Sequence, residues 1–127
     1  MTYEYLAGFF DGEGSISIIR DGIDCRTKVC ITNTNEKVMA AIATFISHTY
    51  NKKSGPLGTS QAFTLEICDQ AAILIILNGM MPYLIVKKPR AEMMIEYLNG
   101  IGKRTYHLTS EIRKARIEFA EKFCYIH

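Results

Sequence analysis

Leu6-Ala7-Gly8-Phe9-Phe10-Asp11-Gly12-Glu13-Gly14-Ser15-Ile16 carries more information than any other stretch of this chain. It begins as an apolar helix and ends by breaking the rules of one. Asp11 and Glu13 fall at the carboxyl end, where the helix macrodipole is negative and each carboxylate costs about 0.3–1 kcal/mol. Gly8 and Gly12 stand four residues apart on one helical face, each about 1 kcal/mol less favourable than Ala inside a helix. Such violations concentrate where function overrides stability. Two missing side chains on one face let another backbone come close, and carboxylates at the tip supply hard oxygen ligands. The plain alternative for a glycine-rich ending is a helix C-cap followed by a turn.

Outward from this segment, residues 2–12 read as a short helix and strand signals follow at once. Residues 15–19 alternate polar and apolar, Asp21-Gly22 supplies a turn, and residues 26–32 alternate again, which predicts a β-hairpin. Asn33 with Glu36 three residues on is a capping signature, and Val38, Ile42, Phe45 and Ile46 then recur at helical spacing to about Tyr50. The pattern repeats. Lys52-Lys53-Ser54 leads into the turn set Gly55-Pro56-Leu57-Gly58, and residues 62–68 alternate with Phe63, Leu65 and Ile67 on one face. Asp69 can cap an apolar helix from about Gln70 to Asn78, stopped by Gly79 and Pro82. A further helix starts near Pro89 and stops at Asn99-Gly100. The last is placed by Thr109 or Ser110 as N-cap and by a buried stripe of Ile112, Ala115, Phe119 and Phe123. The order is αββαββα with extra C-terminal helices, an α+β fold.

Composition bounds the rest. The 127 residues are expected to form a single domain over 1–127, with a core of about 3–99 and a C-terminal helical extension of about 100–127. Hydrophobic residues at 48% and charged residues at 22% exclude disordered, collagen-like and coiled-coil classes. The net charge of +2 names no partner, but it hides two basic zones: residues 20–53 hold six basic against three acidic side chains, and 87–104 hold five against two. Cys25, Cys30, Cys68 and Cys124 show no metal or disulfide spacing and read as reduced intracellular thiols. The amino terminus resembles neither a secretory signal nor an anchor. The longest apolar run, residues 71–86, is broken by Asn78, Gly79 and Pro82 before it spans the roughly 20 residues of a bilayer. A soluble, intracellular protein without a membrane partner is expected, whether in a prokaryotic or phage cytoplasm or in an organelle.

The whole string from Leu6 to Ile16 resembles the motif of the LAGLIDADG homing endonucleases, with Leu6-Ala7-Gly8 and Asp11-Gly12-Glu13-Gly14 in register and Phe9-Phe10 as the apolar pair. The resemblance extends over about residues 3–99 and implies an αββαββα core with a saddle-shaped antiparallel sheet. Only one copy of the motif occurs, which in that family implies a homodimer. Gly8 and Gly12 would then line the seam, with Ala7 and Asp11 beside them. Glu13, where Asp is commoner, would bind a divalent metal, Mg²⁺, once per subunit, with the Gly12 backbone adjacent. Asp11 is assigned first to backbone hydrogen bonds at the helix end. Lys87 falls in the family's basic position, where it supports the scissile phosphate or polarises water. Asn33, at the end of the second strand, matches the polar position that in the family often positions water or metal and Lys37 the basic one that follows, which makes both catalytic candidates, though Asn33 could equally be only a helix cap. Lys88 and Arg90 read as a solvated helix start. The resemblance implies a site-specific, metal-dependent double-strand DNA endonuclease encoded in a mobile element such as an intron, cutting a long pseudo-palindrome across the minor groove with short 3′ overhangs. The alternative is a non-catalytic nucleic-acid-binding protein on the same scaffold, an intron maturase with RNA as partner or a regulator.

Strand alternation sorts the side chains that could read a groove. If Ile16, Ile18, Val29 and Ile31 face the helices, then Ser15, Ser17 and Ile19 on one strand and Arg26, Lys28 and Cys30 on its partner face out. The second hairpin would add Thr64, Glu66 and Cys68, with Lys52, Lys53 and Gln61 near its turn. A two-stranded ribbon fits the major groove of double-stranded DNA, although a solvated sheet face explains any one of these charges equally well. His48, His107 and His127 lack ligand spacing, and the pairs Met80-Met81 and Met93-Met94 read as core filling.

Overall fold

A computed structural model describes residues 1–22, 24–53, 61–105 and 107–124. The turn set expected at 55–58 and His127 lie outside the described residues. The chain runs α1 (Tyr3–Glu13), β1 (Gly14–Asp21), β2 (Asp24–Asn33), α2 (Glu36–Phe45), β3 (Asn51–Lys53), β4 (Ala62–Ile67), α3 (Gln70–Met80), α4 (Lys88–Asn99) and α5 (Ser110–Phe123). The four strands form one antiparallel sheet in the order β1-β2-β4-β3. No helix among the described residues is long and apolar enough to cross a membrane.

The first hairpin follows from its alternation. Ile16 pairs with Val29 and Ile18 with Thr27, so one face of β1 and β2 is apolar. Phe63, Leu65 and Ile67 of β4 continue that face, and all join the single core formed with Leu6, Phe10, Met39, Ile42, Ile73, Leu77 and Met94 from the helices. Among the described residues the helices therefore cover one face of the sheet and leave the other bare. Gly22, at φ +63°, makes the tight turn expected of Asp21-Gly22. Gly14 turns α1 directly into β1, and any Cβ there would fall inside the Phe10 ring. This close approach fixes where the end of α1 sits relative to the sheet.

Four local expectations are corrected. Asn35, not Asn33, caps α2, its Oδ1 accepting from the Val38 N–H at 3.1 Å. That helix ends at Phe45, short of Tyr50. Gly79 does not stop α3 but lies within it, because it is the notch in which the Tyr3 ring packs. In α5 the fully buried positions are Arg116, Ala120 and Phe123, while Ile112, Ala115 and Phe119 are only partly covered.

Candidate functional site

The end of α1 is stitched to the segment that precedes α4. The Ile85 N–H donates to Asp11 Oδ2 at 2.8 Å and the Lys87 N–H to Oδ1 at 3.0 Å. Lys87 Nζ returns to donate to the Asp11 carbonyl at 2.7 Å, placing an ammonium at the negative end of the helix, 6.0 Å from the Phe10 ring centroid. Asp11 does bond backbone, as the sequence suggests, but at the start of a distant helix: Lys87 is the N-cap of α4 and caps it with no side-chain bond of its own. Half-buried, Asp11 has both of its oxygens engaged by backbone of its own chain.

Burial opposes ionisation of Asp11, but the N–H groups of Lys87, Ile85 and Val86 and the Lys87 charge outweigh it, holding the carboxyl below its ordinary 3.8. A depressed folded pKa contributes stability above the unfolded value and loses it as the pH falls through the folded one. Asp11→Asn is therefore expected to cost about 1–3 kcal/mol at neutral pH, since an amide offers one acceptor to two donors. Its cost should fade below about pH 4, a trend that denaturant melts at pH 7 and pH 3 would reveal or contradict.

Glu13, the last residue of α1, is exposed, and among the described residues no hydrogen bond or ion pair engages its side chain. The pairing of Gly14 with Ile31 puts Asn33, the last residue of β2, at the same end of the sheet. Asn33 Oδ1 accepts from the Asn35 N–H at 2.8 Å, and Lys37 stands exposed in the first turn of α2. Glu13 and Lys87 thus share the carboxyl end of α1, with Asn33 at the same end of the sheet. Among the described residues no group of three His, Cys, Asp or Glu side chains could hold a metal.

Along α1, Gly8 and Gly12 are exposed, and a Cβ on either would meet nothing within 4 Å. Tyr5, 53% exposed, stacks on Phe9 beside them. Ala7 is fully buried in the core of its own chain, so its methyl is not on this open face.

The bare face of the sheet carries the side chains that alternation assigned to it. Register pairs Ser15 with Cys30, Ser17 with Lys28 and Ile19 with Arg26, and Cys30 pairs again with Glu66. Arg26 meets Asp21 at 3.1 Å, and Lys28 and Lys53 approach Glu66 at 3.7 and 3.8 Å. Gln61 is exposed just before β4. Two of the candidates are not open on this face. Lys52 pairs with Phe63 and so projects on the helix side of the edge strand, not with Lys53. Thr64 is on the outer face but only 3% exposed, its hydroxyl bonded to that of Thr32 at 3.1 Å.

No family model and no curated protein matches this sequence. Solved structures do. I-Vdi141I, an archaeal intron-encoded homing endonuclease in complex with DNA, is 21% identical and superposes with a TM-score of 0.77 over 98% of this chain and 83% of its own. I-CvuI, a homing endonuclease solved on a DNA target in the presence of Mg, gives 15% identity and a TM-score of 0.77 over 98% of this chain and 81% of its own. The LAGLIDADG meganuclease I-AabMI, bound to uncleaved DNA, gives 16% and 0.75 over 94% of this chain but 44% of its own. The fold is that of the LAGLIDADG homing endonucleases.

Within this LAGLIDADG fold three features escaped the sequence. Thr32, exposed on the outer face beyond Cys30, continues the 26-28-30 alternation and was legible there. Arg90 is no solvated helix start: it donates from Nε to the Ile16 carbonyl at 2.7 Å and from Nη1 to that of Phe123 at 2.6 Å, with its guanidinium 3.8 Å from the Phe123 ring centroid. Burial pulls its pKa down. Arg116, 5% exposed, ties α5 to Asp24 of β2 at 3.0 Å and to the carbonyls of Ile101 and Lys103. Both arginines hold α5 against the sheet and leave the outer face free.

Proposed function

We propose that this chain is a site-specific DNA endonuclease that works as a homodimer with a divalent metal, Mg²⁺. One observation carries the reading: Glu13, a carboxylate without a partner among the described residues, and a latched ammonium, Lys87, share one helix tip beside a sheet face that the described helices leave open. The donor chemistry fits a hard cation, because Glu13 offers an open carboxylate and Gly12 a backbone oxygen next to it. One protomer brings too few ligands, and a twofold axis along Gly8 and Gly12 would add the second Glu13. I-AabMI, whose chain is more than twice the length matched here, has room for two such units in one polypeptide.

The bound cation would stabilise the leaving oxygen and make water nucleophilic near neutral pH. Glu13 from each protomer would hold it, and two facing carboxylates would otherwise repel. Lys87, fixed through Asp11, would oppose the charge that builds on the phosphate, with Asn33 positioning water beside it. Ser15, Ser17, Ile19, Arg26, Lys28, Cys30, Lys53 and Glu66 would lie in the major groove, with Lys37 and Gln61 at its margins.

Incubation of the full chain with a randomised duplex library and Mg²⁺, followed by capture and sequencing of new ends, is the direct test. Double-strand breaks at one pseudo-palindromic sequence are expected, and EDTA should abolish them. Binding to structured RNA with no DNA cleavage under any metal would replace the nuclease by a maturase.

A further inference from the structure

The outer face of the sheet bears an acid among its bases. Glu66, on β4, lies between β2 and β3, and each flanking strand sends it one lysine. Lys28 Nζ and Lys53 Nζ stand 3.7 and 3.8 Å from the same oxygen, Oε1. Among the described residues nothing engages Oε2, and the side chain keeps 40% of its surface open. An anion at this place opposes phosphate attraction, the largest sequence-independent contribution to DNA affinity. Exposed ion pairs at these distances add little to folding. What the carboxylate offers is therefore an acceptor, held in place on one oxygen and open on the other.

Resting on the reading of this face as a major-groove surface, we propose that Glu66 is a specificity-determining residue that selects a C·G base pair. In that groove cytosine presents the N4 amino donor and no acceptor, guanine presents N7 and O6 acceptors, thymine an O4 acceptor, and adenine a donor beside an acceptor. A carboxylate suits cytosine and is repelled by guanine and thymine. The ammonium groups of Lys28 and Lys53 beside it suit O6 and N7 of the guanine in the same pair. Glu66 and either flanking lysine thus set an acceptor beside a donor, as the cytosine N4 and guanine O6 of one pair require. Because a homodimer repeats the arrangement, the C·G pair recurs at two symmetry-related positions.

The test is selection of duplexes from a randomised library by the full chain in Ca²⁺, for the wild type, Glu66→Gln and Glu66→Ala. The wild type is expected to enrich cytosine at one position of each half-site at least about fivefold over other bases. Glu66→Gln should move that position toward adenine, whose N6 and N7 a Gln amide pairs, and Glu66→Ala should flatten it. All other positions should stay as they are. Variants that enrich the wild-type sequence unchanged would overturn the assignment of Glu66 while leaving the DNA-reading face intact. A wild type that enriches no sequence at all would overturn that face and Glu66's role with it.

Discussion

Glu13→Gln is expected to slow Mg²⁺-dependent strand cleavage by at least about 10²-fold while leaving DNA binding in Ca²⁺ within a few-fold of the wild type. The substitution preserves shape and removes one charge. It disturbs nothing in the protomer, because no hydrogen bond or ion pair holds the Glu13 side chain among the described residues. A carboxylate at the carboxyl end of α1 also opposes the helix dipole, so the variant should melt at the same temperature as the wild type or slightly higher. Loss of activity without loss of stability is the signature of a group retained for chemistry. Single-turnover cleavage of the selected duplex, read beside a melting curve, separates the two quantities. Wild-type cleavage by the Gln variant would remove Glu13 from the reaction, whatever the fold.

The parts of this architecture that were legible in the sequence are those set by short periods. The two-residue alternation of β1 and β2 survives in the register that pairs Ser15 with Cys30 and Ile19 with Arg26. Asp69 and Thr109 cap their helices as expected, each accepting from an N–H three residues on. Legibility ends where the deciding partner is distant. Arg116 reads as a polar interruption in an apolar stripe, and its burial is explained by Asp24, 92 residues away, together with the carbonyls of Ile101 and Lys103. Asp11 points to backbone at 85 and 87, a contact that no local pattern encodes. Asn33 and Asn35 are both good caps, and the choice between them rests on where the strand lets go of the chain, since Asn33 still pairs with Phe63. Lys52 and Lys53 differ in face by one residue of register, which the pairing with Phe63 and Ala62 settles.

Gly8→Leu is expected to convert the proposed dimer to a monomer and to abolish cleavage without destabilising the protomer. The contrast between the two glycines of α1 and those that pack against a ring of their own chain is the reason. A side chain at Gly14 or Gly79 would collide with Phe10 or Tyr3 of its own chain, whereas one at Gly8 or Gly12 meets open space. Among the described residues nothing inside the protomer accounts for leaving those two positions bare, at about 1 kcal/mol each in helix propensity. A helix of a second copy, lying against this face, does account for them. On the twofold axis every substitution enters twice, and overpacking of about 1–3 kcal/mol per site should raise the dimer dissociation constant at least about 30-fold. Helix propensity should meanwhile raise the protomer's own stability. Analytical ultracentrifugation across a concentration series, with a melt at a concentration where both proteins are monomeric, reads the two effects separately. A Gly8→Leu protein that sediments as the wild type does would place the seam elsewhere, and one that is monomeric yet cuts both strands would show that the two Glu13 carboxylates need not meet.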